Sequence, residues 1–170
     1  MTYCSFARSQ DIGNVHRDHH DTEHGFPPES DDDLFRRLML EISQAGLSFE
    51  TVLKKKSSIY EAFSSIDKVS KYKEKDIERL MNNAGIIRNR LKIESAIHNA
   101  KKIQQLQKNF GSFSAWINSQ SASTKDEWVK IFKKTFKFTG GEIVNEFMMS
   151  IGKLPGAHDK DCVVGKSCRK

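Results

Sequence analysis

Two pairs of residues in this 170-residue chain have the types and spacing to hold a metal ion: Cys4 with His20 near the start, and His158 with Cys162 near the end. Structural zinc takes four tetrahedral nitrogen and sulfur ligands, and a His and a Cys four residues apart can both reach one ion. Joined, the halves make one Cys2His2 site, which requires the two ends of the chain to fold against each other. The alternative for each half is a buried thiol beside surface histidines. Of three cysteines, two have a histidine at ligand spacing, whereas Cys168 has none and reads as a spare in the tail. A second candidate is Glu41, set between Leu40 and Ile42 and followed by Gln44-Ala45-Gly46. Those neighbours point to a partly enclosed carboxylate, whose plain counterpart is a helix-surface glutamate. A third is the run from Asp76 to Lys92, in which Gly85, Ile86 and Ile87 precede Arg88, Arg90 and Lys92.

These residues need elements to position them, and the apolar periodicity supplies helices throughout. Leu34, Leu38, Glu41 and Ile42 trace one face of a helix that Ser30 caps, with Asp31, Asp32 and Asp33 at its positive end. A short helix is expected over residues 59–64, a connection over 65–72, and a helix opening at Asp76 that stops at Asn82-Asn83-Ala84-Gly85, where left-handed backbone is tolerated. A long helix follows from about Asn89 to Lys108, with Leu91, Ile93, Ala96, Ile97, Ala100, Ile103 and Leu106 facing inward. Loops are expected at Gly111 and from Asn118 to Thr124, and further helices over Lys125–Phe136 and Glu142–Ile151. Strand signals are nearly absent, so the expectation is one compact all-α domain over residues 1–170.

The helix, glycine turn and helix around Gly85 form a helix-hairpin-helix candidate. Backbone amides at a helix N-terminus favour a phosphate oxygen, and neighbouring cations strengthen that grip without reading sequence. Its plain counterpart is an ordinary pair of antiparallel helices. The net charge of +6 fits nucleic acid, and Lys54–Lys56, Arg88/Arg90/Lys92, Lys101/Lys102 and Lys130/Lys133/Lys134/Lys137 cluster, although each cluster alone reads more readily as a solvated helix face. An odd cysteine count argues against a disulfide framework and for a reducing, cytoplasmic setting. No signal peptide is expected, because residues 1–11 contain no apolar run of that length; no stretch approaches the apolar length needed to cross a bilayer, and a monomer is the default expectation.

Five segments in order carry a family resemblance: HHDTEHG at 19–25, LEISQAGLSFETVLKKK at 40–56, NNAGIIRNRLKI at 82–93, FKFTGGEIVNEFMMSIG at 136–152 and HDKDC at 158–162. Together they make the chain similar, over nearly its whole length, to DNA-3-methyladenine glycosylase I. The resemblance implies an all-α helix-hairpin-helix glycosylase that removes 3-methyladenine from alkylated double-stranded DNA by base flipping, leaving an abasic site. It implies one structural zinc on Cys4, His20, His158 and Cys162, and Glu41 as the catalytic carboxylate beside the flipped base. It also implies DNA contacts from Gly46 and Leu47, and from the hairpin at Gly85, Ile86, Ile87 and Arg88.

The chain departs from the family at the base-binding positions. Phe6 and Phe49 stand where Trp is usual, His16 and His19 where Tyr is usual, and His24 where Trp or Tyr is usual. Phenylalanine and neutral histidine still stack, but an imidazolium repels a cationic base. Activity is therefore expected to fall as pH drops through the histidine range. The same changes open a second reading, a zinc-stabilised helix-hairpin-helix DNA-binding protein with lost or altered glycosylase activity. A third is a zinc hydrolase built on His16, His19 and His20. Trp116 and Trp128 are expected to pack in the core, and His98 to be a structural or surface residue.

Overall fold

In the computed structural model, which describes residues 1–168, the chain folds into α-helices, with no β-strand among the described residues. In order they are α1 (Tyr3–Arg8), α2 (Val15–Thr22), α3 (Asp31–Gln44), α4 (Phe49–Lys54), α5 (Lys56–Ala62) and α6 (Ile66–Ser70). There follow α7 (Glu74–Met81), α8 (Arg90–Phe110), α9 (Phe113–Ser119), α10 (Lys125–Thr135), α11 (Gly141–Ser150) and α12 (Val163–Cys168).

Helix α3 is the central strut. It packs against α4, α5, α6, α8, α9 and α11, and Leu34, Phe35, Leu38 and Ile42 are sealed in a core shared with Ile93, Ala96, Ala100, Ile103 and Phe147. Ser30 caps it as expected, its hydroxyl accepting from the Asp33 amide at 3.0 Å. The three aspartates do more than favour the helix dipole. Asp31 accepts from Gln107 Nε2 at 2.8 Å and from the amides of Phe113 and Ser114 at 2.8 and 3.1 Å, so it caps α9 from across the core. Asp32 accepts from the Ile66 amide at 2.8 Å, which fixes the start of α6. Asp33 binds buried Arg37 at 2.9 Å, and that guanidinium donates in turn to the Phe26 and Ser150 carbonyls at 2.7 and 3.3 Å. One acidic run thus braces three other parts of the chain.

Several boundaries differ from the sequence expectation. The short helix starts at Lys56, and the expected connection over 65–72 contains α6, capped by Ser65 and anchored by buried Ile66 and Val69. Too few apolar positions fall there for periodicity to register. Leu91 is 66% exposed, because it lies about 200° around α8 from buried Ile93 and so faces away from the core. Trp116 and Trp128 are core residues and His98 is exposed, as expected.

The turn between α7 and α8 uses Gly85 for a different reason than the one anticipated. Its φ is not positive; instead a Cβ there would sit 2.8 Å from Ser58 Oγ and 2.9 Å from Ser58 Cβ of α5. Close approach, rather than left-handed backbone, demands glycine. Asn83 Oδ1 accepts from the Gly85 amide at 2.9 Å, and Lys55 Nζ donates to the Ala84 carbonyl at 2.5 Å. Buried Ile86 pins the turn to the core, and Asn89 caps α8 through the Lys92 amide at 3.1 Å.

Candidate active site

The α3 helix ends at Gln44, and the chain turns through Ala45 and Gly46, the latter at φ +80°. That turn, the inner face of α3 and the start of α11 bound a cleft of about 300 Å³ lined by Glu41, Gln44, Ala45, Gly46, Leu47, Glu142, Ile143 and Glu146. Glu41 is only 4% exposed, yet it has no hydrogen-bond or ion-pair partner among the described residues. Burial, followed by the charges of Glu146 and Glu23, pushes its carboxyl up to about 8. A buried carboxylate without a donor is costly unless a ligand supplies the compensating charge. Leu47, 42% exposed, stands on the rim.

Lys92 was expected among the phosphate-facing cations, and the structure turns it inward. It is 5% exposed, and Nζ donates to the Ser43 and Ala45 carbonyls at 2.9 and 2.7 Å. The reason is geometric: the first turn of α8 lies under the end of α3, whose last carbonyls lack intrahelical donors. Lys92 is therefore a C-cap for the helix that carries Glu41. Arg90 is exposed but engaged by Glu74 and Glu94, each at 2.8 Å, while Arg88 is exposed on the turn. Among the described residues, the Gly85 and Ile86 amides are satisfied within the turn, whereas those of Ile87 and Arg88 have no acceptor. The Lys54–Lys56 cluster is also partly spent internally: Lys54 pairs with Glu50 at 2.6 Å and Lys56 with Glu23 at 3.0 Å.

Phe6, His16, His19, His24 and Phe49 come together as one aromatic wall. Ring centroids lie 5.1 Å apart for Phe6 and His16, 6.0 Å for His16 and Phe49, 5.3 Å for His19 and Phe49, and 5.7 Å for His19 and His24. Tyr3, which the sequence reading missed, is central to it, with centroids 5.1 Å from His24 and 5.6 Å from Phe49. Its hydroxyl donates to the His16 carbonyl at 3.4 Å and is held far above the ordinary tyrosine range by burial and then by the charges of Glu41 and Glu146. Glu142 and Glu146 were missed as well.

The three wall histidines are neutral in character. Burial lowers His16, lowers His19 far below its ordinary value, and brings His24 to about 3. The anticipated loss of activity through the histidine range therefore moves to more acid solution. Lys56 Nζ donates to His19 Nδ1 at 3.2 Å, so the ring proton resides on Nε2, a buried donor with no partner.

The two half-sites meet. Cys4, His20, His158 and Cys162 present ligand atoms within 4.8 Å of one another. The edges run 3.2 Å from His20 Nε2 to Cys4 Sγ, 3.1 Å to His158 Nδ1 and 3.8 Å to Cys162 Sγ, with 3.6 Å between Cys162 Sγ and His158 Nδ1. A tetrahedron with zinc bond lengths has edges of roughly 3.3 Å (N to N), 3.6 Å (N to S) and 3.8 Å (S to S). Outer partners agree: His20 Nδ1 donates to Asp21 Oδ1 at 2.7 Å and His158 Nε2 donates to the His24 carbonyl at 2.6 Å. Both protons are thereby assigned to the far nitrogens, and the near ones face each other with lone pairs, an arrangement that suits a cation. Gly25 permits the close approach, since a Cβ there would lie 2.8 Å from the His158 ring. The group can hold a metal ion. His16 and His19 are not in it, which removes the zinc-hydrolase reading.

Comparison with known proteins agrees with this geometry. The family described as methyladenine glycosylase matches residues 10–131. A DNA-3-methyladenine glycosylase from Haemophilus influenzae is 36% identical, covering 95% of this chain and 96% of its own. The DNA-3-methyladenine glycosylase 1 of Escherichia coli is 37% identical over 88% of this chain and 89% of its own. Among solved structures, 3-methyladenine DNA glycosylase I from Staphylococcus aureus, solved for the structural basis of 3-methyladenine recognition, superposes with a TM-score of 0.82 at 30% identity, covering 96% of each chain. The chain belongs to the methyladenine glycosylase family.

Proposed function

We propose that this chain is a monofunctional DNA-3-methyladenine glycosylase that hydrolyses the N-glycosidic bond of a base flipped out of alkylated double-stranded DNA. The observation that carries this reading is Glu41, a buried carboxylate without a donor at the floor of an open cleft. Methylation at N3 makes adenine cationic while it is attached to the sugar. When the glycosidic bond breaks, its electron pair leaves with the base, which departs neutral, and water adds to the sugar carbon with loss of a proton. Little acid catalysis is needed. A carboxylate about 4 Å from the cation contributes on the order of 4 kcal/mol at an effective dielectric near 20, and the part of this that grows as charge moves onto the sugar accelerates the reaction.

The supporting parts take these roles. Phe6, His16, His19, His24 and Phe49, with Tyr3, form the stacking wall, and His19 Nε2–H is a donor for the base edge. Gly46 and Leu47 enter the duplex beside the lesion, and Leu47 is the exposed apolar group that can fill the space of a flipped base. The α7–α8 hairpin works as a helix-hairpin-helix: the free amides of Ile87 and Arg88, with the Gly85 and Ile86 turn behind them, receive a phosphate, and Arg88 and Arg90 add charge. Lys92 supports the pocket from beneath. Cys4, His20, His158 and Cys162 hold one structural zinc, which supplies folding energy rather than chemistry. We read the chain as a single domain, a monomer and a cytoplasmic protein; among the described residues no helix is long and apolar enough to cross a membrane.

The test is incubation with methylated DNA and chromatography of released bases, beside Glu41→Gln. Free 3-methyladenine from the native chain, at least tenfold slower from Glu41→Gln with unmodified-DNA binding unchanged, is the expected result. Tight DNA binding without any base release would replace this reading with a binding protein.

A further inference from the structure

The cleft contains more negative charge than the chemistry above requires. Glu41 reaches it from α3, and Glu146 and Glu142 reach it from α11, which packs directly on α3. Glu142 is exposed and already held by Lys125 of α10. Glu146 is half-buried and is engaged by no cation among the described residues. We propose that Glu146 is a second carboxylate of the base pocket, and that with Glu41 it makes entry of a cationic purine into this cleft a proton-coupled event. This rests on the glycosylase reading and deepens it.

The argument begins with what surrounds the pair. Facing Glu41 are Glu146 from α11, Glu23 at the end of α2, Tyr3 of α1 and Tyr60 of α5. Glu23 is neutralised by Lys56 at 3.0 Å and receives the Tyr60 hydroxyl at 2.5 Å. Facing Glu146 are Glu41, Glu142 and Tyr3, and Lys125, which Glu142 holds. Asn145 donates a hydrogen bond to Glu146, and Lys125 is shared with Glu142, so among the described residues two ionised carboxylates are not fully compensated. Like charges that share a site of low polarity cannot both ionise cheaply, so the pair retains a proton at neutral pH. Burial and then Glu142 keep Glu146 above the ordinary carboxylate range, and Glu146 is the largest single charge acting on Glu41.

A cationic purine changes that balance. Its positive charge between the two groups favours the doubly ionised pair, and the shared proton leaves to solvent. A neutral base does not drive this release. After the glycosidic bond breaks, the departing base is neutral, the pair takes its proton back, and the attraction that held the base weakens. The second carboxylate thus ties occupancy of the pocket to the charge of the base, favouring substrate over product.

The test is calorimetric titration at pH 7 in buffers of different ionisation enthalpy, which counts protons exchanged on binding. The probes are 3,9-dimethyladeninium, whose 9-methyl group stands in for the sugar, and neutral 3-methyladenine. Native protein is expected to release close to one proton per cation bound and almost none with the neutral base. In Glu146→Gln the release for the cation should fall by at least half, because Glu41 alone ionises more readily. Glu78→Gln, at an exposed carboxylate of α7 outside the cleft, should leave it within a fifth of native. Thermal unfolding of each variant separates folding defects from pocket effects, since an unfolding defect does not change the proton count per bound probe. Unchanged proton release in Glu146→Gln, or none in the native protein that still excises base, overturns this inference and leaves the glycosylase reading standing. Absence of both cation binding and base release overturns both.

Discussion

Replacing Glu41 by Gln should make the protein more stable while disabling it, and the size of the gain follows from burial. In the unfolded chain this carboxyl has an ordinary value near 4.5, and in the fold it lies at about 8. The sign is unusual for a carboxylate. Below the unfolded value the group is protonated in both states and contributes nothing. As pH rises past 4.5 the unfolded chain ionises first, so folding loses stability progressively until the folded value is reached. At about 1.4 kcal/mol per pH unit, the full penalty is about 5 kcal/mol above pH 8, with roughly 3 kcal/mol expressed at pH 7 and under about 1 kcal/mol at pH 5. Gln is nearly isosteric and does not ionise. Urea unfolding of Glu41→Gln and native protein at pH 5, 7 and 8, in one fixed metal concentration, should therefore show an advantage that grows with pH. At pH 7 the midpoint of thermal unfolding should rise by about 6–12 °C for a chain of this size. A stabilised but inactive variant is what a functional site bought with strain predicts. An advantage of equal size at all three pH values, or a destabilised Gln variant at pH 8, would refute the reasoning, since either outcome means Glu41 is not a buried, uncompensated carboxyl.

Four further perturbations separate support from grip. Lys92→Met should cost about 2–4 kcal/mol, because the Ser43 and Ala45 carbonyls lose their donor; it should slow base release while leaving the salt dependence of DNA binding unchanged, whereas Arg88→Ala should lower that salt slope by about 1, as fluorescence anisotropy across salt concentrations would show. Gly85→Ala should destabilise by about 1–3 kcal/mol through its collision with Ser58, and Ser58→Gly in the same chain should restore most of the loss in chemical unfolding. Cys162→Ser should reduce bound metal from one ion per chain to a small fraction by elemental analysis, and hydrogen exchange should quicken over residues 1–25 far more than in α7 and α8, because only the termini are tied through that site; equal quickening everywhere would show that the ion supports the whole fold.

What could be read from the chain alone follows from the range of the interactions involved. The His158-x3-Cys162 spacing is local, so one half of the metal group was visible, and scarcity of cysteine identified Cys4 as its partner. The inward face of α3 was visible for the same reason: Leu34, Leu38, Glu41 and Ile42 recur at helical steps, and all four are buried. Lys92 shows the limit. In a row of cations it reads as surface charge, and only the passage of α8 beneath the end of α3 makes it a cap. Asp31 is similar, since its service to α9 spans more than 80 positions and no local pattern encodes that.

Glu146 carries this furthest. Along α11 it is one polar residue among Val144, Phe147 and Met148, with no spacing to Glu41 that a motif could describe, and its meaning arises entirely from two helices packed face to face. Acid in a pocket for a cation is not surprising chemistry. Two acids without a cation of their own are a different matter, because their mutual repulsion makes the empty pocket hold a proton and the filled one release it. A glycosylase faces normal bases in vast excess over damaged ones, and normal adenine is neutral. A pocket whose ionisation follows the charge of its occupant discriminates on the property that methylation creates, in addition to shape. The wall residues are consistent with that division of labour. Neutral His16, His19 and His24, kept from protonation by burial, supply stacking surface without opposing the cation, while the charge selectivity is left to Glu41 and Glu146.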